Sequence, residues 1–313
     1  MHVESLHVRV LGPLSVFRNG ELVALPQSKK TRGLLAYLAI TARAHRRERL
    51  CSLLWDVADD PRGALRWSLS KIRPVVDSDS RRCVVADREN VELSLDDGCL
   101  DWRRVRRELA GGLEEVSTER LIELESVFEG ELLEGLDLID FDEFTAWCAA
   151  EREHARSMHT RILQALVERL SDSPTDALPF ARELARIDPI DENTRANLIR
   201  LLTAAGRRNE AKSQYESASR LLTELGAKEP SGPLETVWRE THQPGETGEE
   251  SKVTAPPATT PPTGERTGPA KIRNVLVGRQ TERRELLATL DEAAKGRLTI
   301  FLLKGESGVG KTR

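Results

Sequence analysis

Apolar residues along Asp60–Val76 recur as Leu65, Leu69, Ile72 and Val76, at spacings of 4, 3 and 4. At about 100° per residue these positions share one wedge of a helix. Asp60 suits the N-cap and Pro61 the first turn, where its missing N–H is no loss. The opposite face carries Arg62, Arg66, Trp67, Ser70, Lys71 and Arg73 and no acid. Gly63 weakens the helix, and Pro74 is expected to end or kink it, leaving Val76 outside the stripe. A one-sided helix with a cationic free face suits a DNA groove lined with phosphates. Taken alone, it is more readily an ordinary amphipathic helix with a solvated basic face.

The patterns on either side change that balance. Residues 6–16 alternate in parts and read as a strand, Asn19-Gly20 marks a hairpin turn, and Leu22–Leu25 makes the return strand. A helix follows at about 27–42, with Leu34, Leu35, Leu38 and Ala39 as its stripe. Lys29, Lys30 and Arg32 sit in its first turn, against the helix dipole, which an anion such as DNA phosphate would offset. A second helix, about 46–55, presents Leu50, Leu53, Leu54 and Trp55 on one side and opens on Arg46, Arg47 and Arg49. Helix, short turn and basic amphipathic helix make a helix-turn-helix. Two apolar runs, 83–86 and 91–95, then flank Asp87–Asn90 as a second hairpin, a wing with Arg88 near its tip. Trp67 either packs on a thymine methyl or sugar in the groove or covers the turn between helices as core.

From Asp101 the periodicity is helical throughout. Helices are expected at 101–111, 117–130, about 142–171, 175–187, 191–206, 208–226 and 233–240, punctuated by Gly and Pro. The pair at 192–225 loosely resembles a tetratricopeptide repeat through Leu198, Leu202, Ala211, Tyr215 and Ala218. Residues 242–270, rich in Pro, Thr, Gly and Glu, cannot bury enough surface to fold and read as linker. A new pattern starts at Val275. Leu298–Leu303 reads as a buried strand and leads into Gly305-Glu306-Ser307-Gly308-Val309-Gly310-Lys311-Thr312. This is a complete G-x-x-x-x-G-K-[ST] phosphate loop after a strand. Gly305, Gly308 and Gly310 would let backbone N–H groups curl around phosphate, Lys311 would reach the β/γ-phosphates and Thr312 the Mg²⁺ of bound ATP.

Charge sharpens the division. The chain of 313 residues carries a net charge of −4. Residues 1–76 hold 13 Lys and Arg against 6 Asp and Glu, whereas residues 101–240 hold 19 against 29. A basic head on an acidic body points to nucleic acid at one end and protein contacts elsewhere. Cys51, Cys83, Cys99 and Cys148 lack zinc-ligand spacing and read as thiols of a reducing compartment. Asp137, Asp140, Asp142 and Glu143 cluster without metal-ligand order and read as solvated. With no signal peptide and no membrane-length apolar run, a soluble cytoplasmic protein without membrane partners is expected.

The segments Lys30-x-Arg32-x-Leu34-Leu35-Ala36-x-Leu38, Arg49-Leu50-x-x-Leu53-Leu54-Trp55 and Ala64-Leu65-x-x-x-Leu69-Ser70-Lys71-Ile72-Arg73 resemble winged-helix domains of the OmpR/PhoB type, and more closely those of SARP-type antibiotic-pathway regulators. Asp101-Trp102, Pro189, Ala205-Gly206-Arg207-x-x-Glu210-Ala211, Tyr215, and Leu222-x-x-Glu224-Leu225-Gly226 with Pro230 resemble the bacterial transcriptional activation domain that follows in that family. The resemblance implies that Arg66, Trp67, Ser70 and Lys71 face bases and that Arg73 contacts phosphate. It further implies promoter DNA as ligand, RNA polymerase as partner, a homodimer on direct repeats, and activation. Val277-Gly278-Arg279 with Glu282 resembles the entry to AAA/STAND-type ATPase modules.

The expected architecture is therefore mainly α with small β. A winged helix-turn-helix domain (1–98) precedes an all-α, tetratricopeptide-like activation domain (99–241), a disordered linker (242–270) and the truncated start of a P-loop α/β domain (271–313). Because the sequence ends just after Thr312, the fragment is expected to lack the rest of the nucleotide site, to hold no cofactor and to hydrolyse no ATP, with ATP and Mg²⁺ implied for a longer protein. The expected DNA-binding residues are Arg46, Arg49, Arg62, Arg66, Trp67, Ser70, Lys71, Arg73 and Arg88. Two other functions remain open: a P-loop NTPase with an N-terminal docking appendage, and a tetratricopeptide-like scaffold whose basic head binds acidic protein.

Overall fold

Strands β1 (Leu6–Arg9), β2 (Ser15–Arg18) and β3 (Glu21–Leu22) form an antiparallel sheet in that order. Asn19 and Gly20, at φ 51° and 83°, make the turn from β2 to β3 that right-twisted hairpins favour. The single strand expected over 6–16 is divided instead. The backbone turns at Gly12, φ 130°, and the preceding residues pair with a later segment. Leu133 N–H donates to Val10 O (2.8 Å), Glu129 N–H to Leu11 O (3.0 Å) and Glu134 N–H to Gly12 O (3.1 Å). The computed structural model describes residues 5–56, 59–96, 98–224 and 232–242, and all of these belong to one unit, Met1–Glu246. The linker and the phosphate loop expected from the sequence lie outside the described residues.

Helices α1 (Lys29–Thr41), α2 (Arg47–Trp55) and α3 (Pro61–Val76) follow, with a two-residue strand β4 (His45–Arg46) ahead of α2. Ser28 caps α1 by accepting from Thr31 N–H, and Asp60 caps α3 by accepting from Gly63 N–H at 2.8 Å. A Cβ at position 63 would run into the Asp60 carboxylate, so the glycine that weakens the helix also admits its cap. Strands β5 (Val84–Ala86) and β6 (Asn90–Leu93) complete the wing, a sheet in the order β4-β6-β5.

The sequence expectation for Pro74 fails. Helix α3 runs past it to Val76, and Val75 and Val76 are both buried. Pro74 sits in the last turn on the solvent side, where a lost backbone bond costs least. Arg18 also reaches over from β2 and donates to the carbonyls of Pro74 (3.3 Å), Val75 (3.1 Å) and Asp77 (2.8 Å). It supplies partners for carbonyls that a helix end leaves open.

The acidic segment folds as α4 (Asp101–Glu108), a 3₁₀ turn (Leu113–Glu115), α5 (Thr118–Glu125), the long α6 (Asp142–Arg169), and α7 (Pro174–Ile187), α8 (Glu192–Ala204), α9 (Arg208–Glu224) and α10 (Pro233–His242). Two hydrophobic clusters organise it. The first runs without a break from Val8 through the winged unit to Ile162 and Leu166 of α6, and the second joins α7 to α10. The first cluster bridges the change in composition near residue 99. Phe144 of α6, fully buried, lies against Gly33 of α1, where an added Cβ would stand 3.2 Å from its ring. Asp101, which opens α4, accepts from the N–H groups of Val10, Leu11 and Trp102. The second cluster places Leu198, Leu202, Ala211 and Ala218 inside and stacks Tyr215 on Trp238 at 4.3 Å, helix pair on helix pair.

Candidate nucleic-acid interface

Helix α3 is held from three sides. Leu65, Leu69 and Ile72 are buried, and Ser68 and Thr31 of α1 share a buried hydroxyl contact at 3.0 Å. At its end Asp77 accepts from the N–H groups of Cys83 (2.8 Å) and Val84 (2.9 Å), fixing the entry to the wing. The face left over is the one expected: Arg62, Arg66, Trp67, Ser70 and Lys71 are all exposed. Trp67 is 52% exposed, so it does not serve as core. The Lys71 ammonium stands 5.5 Å from the Trp67 ring centre, within cation–π range. The Ser70 hydroxyl donates to Trp67 O at 2.6 Å. Indole, hydroxyl and ammonium thus occupy one continuous patch on the helix.

The flanking cations make exposed pairs. Arg62 meets Glu48 of α2 at 2.6 Å and Arg66 meets Asp60 at 3.7 Å. Such pairs contribute about 0–1 kcal/mol, so phosphate can take over either guanidinium at little cost. Arg73 is less exposed, and its Nε stands 4.0 Å from the Asp77 carboxylate. Arg46 belongs to β4 rather than to the helix, where it pairs in register with Asn90 of β6. This places it beside the wing tip, where Arg88 is exposed. The tip itself is tied to α2: Arg47 Nε donates to Asp87 O (2.8 Å) and Arg47 N–H to Glu89 O (2.7 Å). Arg46 and Arg88 are therefore both exposed on the wing, where Asp87 and Glu89 flank Arg88.

Arg49 stands apart from both. Its guanidinium is paired with Glu143 of α6, which raises the arginine pKa and lowers that of the carboxylate. Lys30, expected near an anion, lies over the Phe141 ring at 4.3 Å instead. Around them Tyr37 of α1 packs edge-on against Trp147 of α6 and tilted against His45, both at 4.8 Å. Burial, then Arg43 and Arg49, hold the His45 pKa below its ordinary 6.5. The contacts of Arg18, Arg47, Thr31 and Ser68 were not found from the sequence. Only Ser68 carried a signal, since it stands 3 after Leu65 and 4 before Ile72 on the buried face.

Among the described residues no group of His, Cys, Asp and Glu could hold a metal ion. Asp137 is bonded to Arg152 at 3.0 Å. Cys51, Cys83 and Cys148 are buried thiols, and burial pushes Cys148 up to about 11. No helix among the described residues is long and apolar enough to cross a membrane.

Residues 100–240 match the family described as bacterial transcriptional activator domain. Over 330 residues the chain is 26% identical to the Regulatory protein AfsR of Streptomyces coelicolor, covering 98% of this chain and 32% of that protein. The chain thus spans about a third of the length of the curated relative it matches. Its fold is similar to that of Mycobacterium tuberculosis EmbR, solved in complex with a low affinity phosphopeptide. The TM-score is 0.55 at 22% identity, covering 76% of this chain and 65% of that one. The matched segment, residues 100–240, lies directly behind the winged helix-turn-helix unit.

Proposed function

We propose that the chain binds promoter DNA in a sequence-specific manner, with α3 in the major groove and the wing on the adjoining backbone, and that it activates transcription. The observation that carries this reading is the exposed, acid-free face of Arg62, Arg66, Trp67, Ser70 and Lys71 on a helix whose other side is wholly committed to the core. Arg66 and Lys71 read base edges, Trp67 packs on a methyl or sugar, and Arg62, Arg73, Arg46 and Arg88 hold phosphates. Arg49 serves the junction with the helical domain instead. The activator domain contacts RNA polymerase, and two copies bind direct repeats in a cytoplasmic complex. Selecting bound sequences from random DNA with the chain tests this. A recurring motif is expected; recovery of no motif above the starting pool would leave the scaffold reading standing.

The phosphate loop extends the proposal. Gly305, Gly308, Gly310, Lys311 and Thr312 stand in the order that holds ATP and Mg²⁺, and this rests on the sequence alone. We assign it to a nucleotide switch that the DNA-binding part does not need. In a protein that carries this loop within a complete nucleotide domain, nucleotide binding lost in Lys311→Ala while DNA binding persists is the expected result. Loss of DNA binding in the same variant would favour the NTPase reading.

A further inference from the structure

The exposed side chains of α3 differ in direction as well as in kind. At about 100° per residue, Trp67 stands about 165° from the mean direction of the buried Leu65, Leu69 and Ile72, on the outermost line of the helix. Arg62, Arg66 and Arg73 share one shoulder, about 50–95° from that buried stripe, and Lys71 lies on the other side, about 125° from it. The cations thus flank the crest, and the crest itself holds an indole.

Nothing long or charged shares the crest with Trp67. Gly63 stands one turn before it and Pro74 two turns after it. The Ser70 hydroxyl is turned back along the helix to Trp67 O. Of the large hydrophobic residues of α3 only Trp67 is exposed. The Lys71 ammonium, 5.5 Å from its ring centre, gives the indole a neighbour on its own helix.

A helix seated in the major groove turns its outermost line to the base edges and its shoulders to the sugars and phosphates of the two walls. The three arginines face a wall, whereas Trp67 faces the floor. Among unmodified bases the floor presents one apolar group, the 5-methyl of thymine. We infer that Trp67 recognises a thymine through its 5-methyl group and so sets the sequence preference at one base pair. This rests on the placement of α3 in the major groove proposed above, and it makes the methyl, rather than a sugar, the partner of the indole.

The test starts from the sequence selected out of random DNA and replaces each thymine in turn by deoxyuridine, which removes the methyl and keeps every hydrogen-bonding atom. One replacement is expected to weaken binding by the native chain about fourfold, the worth of one buried methyl group. Trp67→Ala should bind the thymine and uracil forms alike, and Trp67→Phe, which keeps an apolar ring, should retain most of the difference. Trp67 is exposed, so neither variant disturbs the core. Native binding indifferent to uracil at every position would overturn the inference, as would the same uracil penalty in Trp67→Ala. A difference lost as fully in Trp67→Phe as in Trp67→Ala would assign a hydrogen bond from the indole N–H instead and overturn it too. If no motif is recovered, the placement of α3 fails and the inference fails with it; specific binding without a uracil effect overturns the inference alone.

Discussion

Arg49 and Arg66 are both exposed arginines on adjacent helices of the winged unit, and they have different partners. Arg66 has a loose contact with Asp60 and faces solvent beside Trp67 and Lys71. Arg49 is bound to Glu143 across the junction with α6. Residue type and spacing made the two alike in the sequence, because a distant carboxylate partner leaves no local signal. Arg49→Ala is accordingly expected to cost no more than about 1 kcal/mol of folding stability and to leave sequence preference intact. A double-mutant cycle with Glu143→Gln should show coupling between the two residues. Independent effects in that cycle would show that the pair adds nothing to stability, and a fall in affinity for all DNA sequences in Arg49→Ala would make Arg49 a phosphate contact.

His45 gives the same junction a pH dependence. Its folded-state pKa lies below the ordinary 6.5, so the folded protein binds the proton less tightly than the unfolded chain. Its contribution to stability is present above 6.5 and lost as pH falls from 6.5 through the folded value. Chemical unfolding across that window should show the decline, and His45→Gln should flatten it. An unchanged slope in the variant would show that other groups govern the window.

At the scale of elements, periodicity carried far. Leu65, Leu69 and Ile72 are buried as their spacing required, Val76 joins them against expectation, and the helices of the acidic half stand close to their expected ranges except α5, which ends at Glu125 rather than 130. What failed was what periodicity cannot encode. A two-residue strand such as β4 has no repeat, and its existence depends on Val91 and Asn90 far along the chain. The end of α3 was misread because Pro74 is a local signal, whereas Arg18, which caps the helix, is distant in sequence. Arg18→Ala should therefore shorten α3 and lower stability by about 1 kcal/mol, read by hydrogen exchange of the last turn. Unaltered protection of the Val75 and Val76 amides would show that Pro74 needs no such support.

At the scale of the whole molecule, the winged unit and α4–α6 share one core, although charge and composition change sharply between them. The sequence marked the change of surface, since surface residues carry charge. It could not mark the continuity of the interior, which depends on Phe144 meeting Gly33 and on Asp101 holding Val10 and Leu11. Phe144→Ala should remove about 3–5 kcal/mol and unfold the winged unit together with α6 in one transition. Two separate transitions in the native protein would show that the units are energetically independent.

The central claim, that α3 reads DNA, is tested most directly by titrating the chain with its selected sequence at several salt concentrations, alongside Arg66→Ala and Lys71→Ala. The account predicts that affinity falls steeply and linearly on logarithmic axes as salt rises. Each substitution should cost about 1–3 kcal/mol on the selected site and much less on random DNA, so that sequence preference is reduced. Salt-insensitive binding, or variants that keep the full preference of the native protein, would contradict it.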